Sequence, residues 1–463
     1  MTALDPAVER PHAAIRQGLW SEQRGLTVGL LLIVTLVAFE MLAVATVMPT
    51  ARDDLGGVRL YGWAFSGFTL ASIVGIVWAG QQSDLRGPAV PFTVGLVFFS
   101  TGLIIAGIAP SMAVLVLGRA IQGAGAGALP AVAWVVIGRA YHEDVRPRML
   151  SLMSSAWVVP GLTGPGIAAV VAETLTWRLV FLGLLPLVAV AAVLALPGLR
   201  RLGPPASPAE TGRRLLDATA LAVAATLFLA GLTSSSPMTG VPLALAGAAL
   251  LPWPLRRLLP AGTLRAARGL PSAIAGHGLL NLAFVCGDAF VPYAMVTVRG
   301  QSTILVGVAL SVSTLTWTAG TWATERTGKR IERRRLMSVG LALVAVEMVA
   351  MAFAVAPPVP PAFAFIAWSI GTLGMGIAYP SFSLTIIGEA REGTEGAVSA
   401  GMKLSESLGS GIGAGVGGAL VALGAVLATD AWGVAAAFLF AAGMAFIGIV
   451  PALRSKPQRE LVH

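Results

Sequence analysis

The chain is poor in the residues on which most protein chemistry depends. One cysteine, Cys286, stands in 463 residues, so no internal disulfide forms. Four scattered histidines and that single thiol supply no metal cluster and no convergent nucleophile and base. The chain is therefore not expected to be an enzyme. Charged residues make up 11% of it, too few to clothe a large soluble domain. The phosphate-cradling pattern G-x-x-x-x-G-K-[ST] does not occur, which removes ATP as an energy source. The nearest thing to a dinucleotide fingerprint is Gly413, Gly415 and Gly418, and it lies inside a continuous apolar run with no strand before it. Gly409, Gly413 and Gly417 instead recur every four residues, the spacing that lets two helix backbones approach closely. No cofactor is expected.

What the chain has in abundance is hydrocarbon. Hydrophobic residues make up 56% of it, and its mean hydropathy is +0.82. These values define a polytopic membrane protein. A hydrocarbon layer of about 30 Å needs roughly 20 helical residues, and fourteen stretches meet that length. They lie near 26–49, 60–80, 89–108, 111–138, 148–172, 178–198, 215–233, 241–259, 272–297, 302–323, 336–356, 361–387, 397–424 and 431–452. The runs are continuous and do not alternate residue by residue, so helices are expected and barrel strands are not.

The basic residues set the orientation. Of 31 Lys and Arg, 25 fall in the termini and at every second junction; only Arg52, Arg59, Arg178 and Arg299 lie at the alternate junctions. The positive-inside rule then places both termini in the cytoplasm, in agreement with an even number of spans. The net charge of +9 is accordingly a sign of topology and of contact with anionic lipid, and nucleic-acid binding is the poorer reading. The first 25 residues carry three Arg and no cleavage site, so the first apolar segment is expected to remain as a helix.

The expected organisation is a cytoplasmic segment 1–25, a six-helix bundle 26–198, a basic, Pro-rich linker 199–214, two inserted peripheral helices 215–259, a cytoplasmic loop 260–271, a second six-helix bundle 272–452 and a tail 453–463. The inserted pair contains almost no polar residue, as suits helices that line nothing. The loops after the second helix of each bundle are related: GQQSDLRG from Gly80 to Gly87 and TWATERTGKR from Thr321 to Arg330. In each, an acid (Asp84, Glu325) precedes a glycine (Gly87, Gly328) by three residues. Such a pair marks a parallel internal repeat, with binding expected between the halves.

With these motifs the chain resembles the major facilitator superfamily, and within it the fourteen-helix drug:proton antiporter branch. Gly80, Asp84 and Gly87 match the family's loop pattern, with Pro88 and Ala89 in place of its basic pair; Glu325, Arg326, Gly328, Lys329 and Arg330 match the second copy more closely. Arg119, Gln122, Gly123 and Gly125 match its fourth-helix motif, and Gly164 with Pro165 matches the fifth-helix signature of exporters. Trp177, Arg178 and Phe181 follow, with Leu179 departing. The first-helix pattern is Glu40 to Pro49, with Glu where Asp is common. The resemblance implies an all-α fold of two six-helix halves working by alternating access. It also implies a proton-driven exporter of amphipathic small molecules at the cell membrane, with protons and lipids as its other partners and a monomer as its form. Export of a lipid or an endogenous metabolite stays open as an alternative, with proton-symport uptake or a non-transporting scaffold behind it.

Several polar residues lie inside the spans. Glu40 is about 15 residues into the first, or roughly 22 Å at about 1.5 Å per residue. A carboxylate so deep is costly unless it faces a wet cavity, meets a cation or takes up a proton. Arg119 shares its depth, so the two could pair across the cavity and be uncoupled by protonation. Asp288, four residues before Pro292, occupies the corresponding depth in the second half, and the two acids form a candidate pair for proton and substrate. His277 and Asn281 precede Asp288, with His277 read as a structural hydrogen-bonder. Lys403 and Glu406, at i and i+3, neutralise one another or select substrate charge. Glu347 is also intramembrane but sits on a helix that the resemblance makes peripheral, and it is left out of the site. Trp134 and Trp157, with Trp63, Phe290, Tyr293 and Met41, offer an adaptable apolar lining. Gly164 and Pro165 allow a bend where two helices meet. Asp84 and Glu325 are expected to pair with nearby Arg and hold the inner gate.

Overall fold

The computed structural model describes residues 24–141, 146–203, 213–328, 330–389, 395–427 and 429–456. Arg10, Arg16, Lys329, Arg391, Arg459 and most of the linker lie outside them. Among the described residues, fourteen helices are long and apolar enough to cross a membrane, the number expected. In the first half they are α1 (Arg24–Leu55), α2 (Trp63–Arg86), α3 (Ala89–Gly107), α4 (Met112–Ala140), α5 (Arg146–Thr174) and α6 (Arg178–Arg201). The inserted pair is α7 (Arg214–Thr233) and α8 (Pro237–Leu258). The second half comprises α9 (Leu270–Val298), α10 (Thr303–Thr327), α11 (Arg333–Ala354), α12 (Pro361–Gly388), α13 (Glu395–Leu427) and α14 (Asp430–Arg454). Several helices extend past the apolar runs, because turns with polar residues continue the backbone hydrogen bonding beyond hydrocarbon depth.

The internal repeat is visible in which helices touch. In the first half α1 packs on α5 and α6, α4 on α2 and α3, and α3 on α6. In the second, α9 packs on α13 and α14, α12 on α10 and α11, and α11 on α14. Each pair maps onto its counterpart eight helices away. The seams between the halves obey the same symmetry: α2 meets α13, and α10 meets α5.

Small residues permit these contacts, since apolar helices in lipid gain association from close packing. A methyl added at Gly123 would overlap the Phe68 carbonyl of α2, and one at Gly125 would strike Phe99 of α3, so α4 is held tightly between both. Gly376 against Trp317 and Gly374 against Gly340 hold α12 in the same way between α10 and α11. The glycines of α13 do what their spacing suggests: Gly409 and Gly413 press on the Gly278 and Leu282 carbonyls of α9. They belong to a helix contact, and no nucleotide fold surrounds them.

The inserted helices are peripheral but not inert. The helix α7 lies against both α2 and α13, covering one seam. Leu221, Ala225 and Leu229 form a separate core there with Leu70, Ile73 and Leu408. Asp217, almost wholly buried at the start of α7, faces Arg257 of α8 at 3.4 Å. Trp63 is drawn into this contact, its indole N–H donating to Thr233 Oγ1 at 3.0 Å, so it does not join the expected lining.

Candidate functional site

Among the described residues, three polar clusters lie within the helical bundle. The first joins Glu40 of α1 to Arg119 and Gln122 of α4. Packing of α4 between α2 and α3 turns Arg119 toward α1. Its Nη1 donates to Glu40 Oε1 and to Gln122 Oε1 at 2.8 Å, and its Nε donates to the Ala64 carbonyl at 3.0 Å. The guanidinium also rests on the Phe68 ring, 4.1 Å from its centre. Glu40 is 0% and Arg119 2% exposed. Glu40 Oε2 and Gln122 Nε2 have no partner among the described residues. The pairing read from matched depths is therefore present, and one carboxylate oxygen remains available to a proton.

The second cluster surrounds Asp288. Pro292 lacks an N–H, and its ring displaces the carbonyl four residues earlier, which is that of Asp288. The regular α-helix accordingly ends at Asp288, and the span finishes through a short turn and a wider π-type turn at Ala294–Val298. Asp288 Oδ1 accepts a hydrogen bond from Trp368 Nε1 of α12 at 2.9 Å. Asp288 and Glu40 thus have different partners.

The third cluster lies nearer the termini. Lys403 Nζ meets Glu406 Oε1 at 2.6 Å, and Tyr379 OH donates to Glu406 Oε2 at 2.9 Å. Lys403 keeps half of its side chain exposed, so mutual neutralisation and access to an incoming charge coexist. Tyr379 lies against His277 and Trp317, and Trp317 against Phe284. His277 departs from expectation: it is fully buried and neither ring nitrogen has a partner among the described residues, so it packs as a ring between Tyr379 and Phe382. Asn281 turns back along its own helix, one amide N–H donating to the His277 carbonyl at 2.9 Å.

The remaining expectations divide. Trp134 and Trp157 are exposed, at 56% and 42%, and belong to none of the three clusters. Phe290 and Tyr293 are buried in an aromatic group with Tyr61 and line no open surface. Gly87 has φ of 80°, a conformation that favours glycine, and ends α2. Gly80 has open space around it. Asp84 and Glu325 take part in no ion pair among the described residues, which corrects the expectation that they hold Arg. Arg86 and Arg326 stand exposed beside them. The reason is geometric, because the halves meet at the other end. There Gly62 touches Ala414 and Gly418 across one seam, while across the other Gly307 lies on Pro165 and Ala169, and Thr314 Oγ1 donates to the Gly161 carbonyl at 2.9 Å. Pro165 therefore serves close contact between halves, while Gly164 faces Phe39 of α1.

Contacts that the sequence reading did not anticipate complete this far end. Arg52 of α1 reaches Asp430 of α14 at 3.4 Å, and Tyr293 OH donates to the same carboxylate oxygen at 3.1 Å. Glu173 Oε1 accepts from the Ile304 amide at 2.8 Å. Arg52 and Glu173 each stand just beyond an apolar run in the first half, and Asp430 just before one in the second, a weak signal available in the sequence.

A two-lobed, fourteen-helix bundle with buried acids and a repeat-related pair of seams defines a membrane transporter fold. Comparison with known proteins gives the same class: residues 30–414 match the model of the Major Facilitator Superfamily, and the chain belongs to that family. Multidrug resistance protein 3 of Bacillus subtilis is 32% identical over 153 residues, 33% of this chain and 30% of that protein. Multidrug transporter protein MdtP of the same organism is 28% identical over 185 residues, 40% and 34% of the two chains. The probable multidrug-efflux transporter Rv1634 of Mycobacterium tuberculosis is 27% identical over 174 residues, 37% of each. The matched segments span about a third of these relatives. Among solved structures, a POT peptide transporter in complex with sulfate superposes with a TM-score of 0.68 at 17% identity, covering 94% of this chain and 95% of that one. The human organic anion transporter MFSD10 superposes at 0.60 with 14% identity, covering 93% and 100%. At these identities the structures establish the fold alone.

Proposed function

We propose that this transporter exports amphipathic small molecules in exchange for protons, by alternating access between its two halves. The observation that carries the proposal is the Glu40–Arg119 pair. An acid and a base buried at mid-span, with one carboxylate oxygen unpartnered, form an electrostatic contact that a proton can weaken and its departure restore. The multidrug names of the relatives support small-molecule export. So does the cluster of Phe284, Trp317 and Tyr379 beside Lys403 and Glu406, which joins aromatic surface to charge.

In this reading the termini face the cytoplasm of a cell that holds the chain, as a monomer, in its bounding membrane. The described conformation, joined at the end far from the termini, is then the inward-facing one. Substrate enters from the cytoplasm, Glu40 exchanges its proton, and the far-end contacts part. The gradient does the work, since each charge crossing 100 mV is worth about 2.3 kcal/mol.

The test uses purified protein in liposomes with an imposed pH gradient and a panel of fluorescent amphipathic dyes. Proton movement opposite to dye movement is expected in the parent, and none that is gradient-driven in Glu40→Gln, which is isosteric. Uphill dye transport by Glu40→Gln at the parent rate would refute the proton assignment.

A further inference from the structure

Among the described residues, an acid fully buried at mid-span takes no part in the clusters above. Glu347 lies on a helix that the resemblance makes peripheral, yet it is turned into the bundle. Its side chain points inward, on the same buried stripe of α11 as Gly340, Val344, Met348 and Met351. It is 0% exposed, and neither carboxylate oxygen has a partner among the described residues. The room it occupies exists because position 371 of α12 is glycine: a methyl there would coincide with the carboxylate.

Two observations put Glu347 in one enclosure with Asp288. Gly371 lies three residues along α12 from Trp368, whose indole holds Asp288. Gly287, next to Asp288, lies against the sulfur of Met348, next to Glu347.

No cation faces this enclosure from the elements packed on α11. The helix α12 carries no Asp, Glu, Lys or Arg between Pro361 and Gly388, and its Tyr379 is engaged with Glu406. The charges of α14 are Asp430 and Arg454, one at each end, and Asp430 is held by Arg52 and Tyr293. On α9, His277 lies eleven residues before Asp288, roughly 16 Å along the helix. Two carboxylates in one apolar enclosure without a counter-ion cannot both stay ionised, because each desolvated charge is uncompensated and each repels the other.

We propose that Asp288 and Glu347 form a second proton-binding site, in which the two carboxyl groups share one proton and exchange it through Asp288. Glu347 is sealed behind the helices, whereas Asp288 is half-buried and offers the route in and out. The use of this proton in transport rests on the export reading above; the presence of the site does not.

Infrared difference spectra between acid and alkaline buffer, recorded on the full chain in liposomes without substrate, test the site directly. The parent is expected to show a protonated-carboxyl band that changes with pH and is retained in Glu40→Gln. Glu347→Gln, which keeps the packing on Gly371, should remove the band. Asp288→Asn should leave a carboxyl band that no longer responds to pH, which supplies a second arm should the first variant insert poorly. A parent band that ignores pH, or one that survives unchanged in Glu347→Gln, would overturn the proposal. Dye export with no such band sinks this inference alone, and the band without any export sinks only the function proposed above.

Discussion

The two halves of the molecule solve the same problem with different chemistry. Arg119 lies seven residues after Met112, the first residue of α4, and Trp368 lies seven after Pro361, the first of α12. Each reaches the acid on the first helix of its half, Glu40 or Asp288. Ten residues in, α4 has Gln122 and α12 has Gly371. The first half fills that position with an amide bound to its arginine; the second leaves it empty for a carboxyl group from α11. One scaffold thus holds an acid with a permanent cation and an acid with a neutral donor and a second acid. A cation opposes protonation of its carboxylate, whereas a second buried carboxyl favours it.

The largest effect should come from removing the cation. Arg119→Leu leaves Glu40 buried and uncompensated, a loss of about 3–5 kcal/mol for breaking a buried pair. Thermal melting in detergent should show a marked fall, and Glu40→Gln combined with Arg119→Leu should recover most of it without restoring uphill transport. If the single variant melts like the parent, Glu40 already carries its proton at rest and the contrast between the halves disappears. The corresponding change in the second half is milder. Trp368→Phe keeps most of the ring and deletes one hydrogen bond, worth about 0.5–1.5 kcal/mol when neutral and about 1.5–3 when its acceptor is charged. A loss at the lower value would agree with a proton already shared by Asp288, and one at the upper value would agree with an ionised Asp288.

The smallest effect concerns the contact that both halves share at the far end. Arg52 and Asp430 are each partly exposed, so solvent reduces their attraction to at most about 1 kcal/mol. Asp430→Asn should therefore leave melting unchanged but favour opening at that end. Thr46→Cys, on the fully buried Thr46 of α1 above Glu40, is a suitable reporter because Cys286, the single native thiol, is buried. Its maleimide labelling should rise by up to roughly fivefold, the factor that corresponds to about 1 kcal/mol. No change would place the closure in the glycine seams alone.

Much of the fold was legible because membrane helices declare themselves by length and hydropathy. Glu40 and Arg119 were legible as a pair because depth along a helix is a count of residues. Rotation about the helix axis is not such a count. Glu347 shares its depth with Asp288, yet an acid on an outer helix reads as peripheral until its buried stripe is known. The spacing of Gly340, Val344, Glu347 and Met351 carried that signal, and it becomes decisive only beside Gly371. Tyr379 escaped for a similar reason, as its hydroxyl finds Glu406 across two helices 27 positions apart in sequence. The gate acids failed in the opposite sense: the motifs around Asp84 and Glu325 are plain in the sequence, but whether they hold Arg depends on which end of the bundle is closed.

The chain by itself determined fourteen spans, an internal repeat, the basic bias of its loops and the depth of each buried charge. Those properties follow from local composition acting against hydrocarbon, and they need no knowledge of neighbours. Only the tertiary structure decided which groups meet: arginine with glutamate in one half, indole with aspartate in the other. The reason is that a partner is selected by the rotation and closeness of packed helices, set by glycines whose contacts lie far away in sequence.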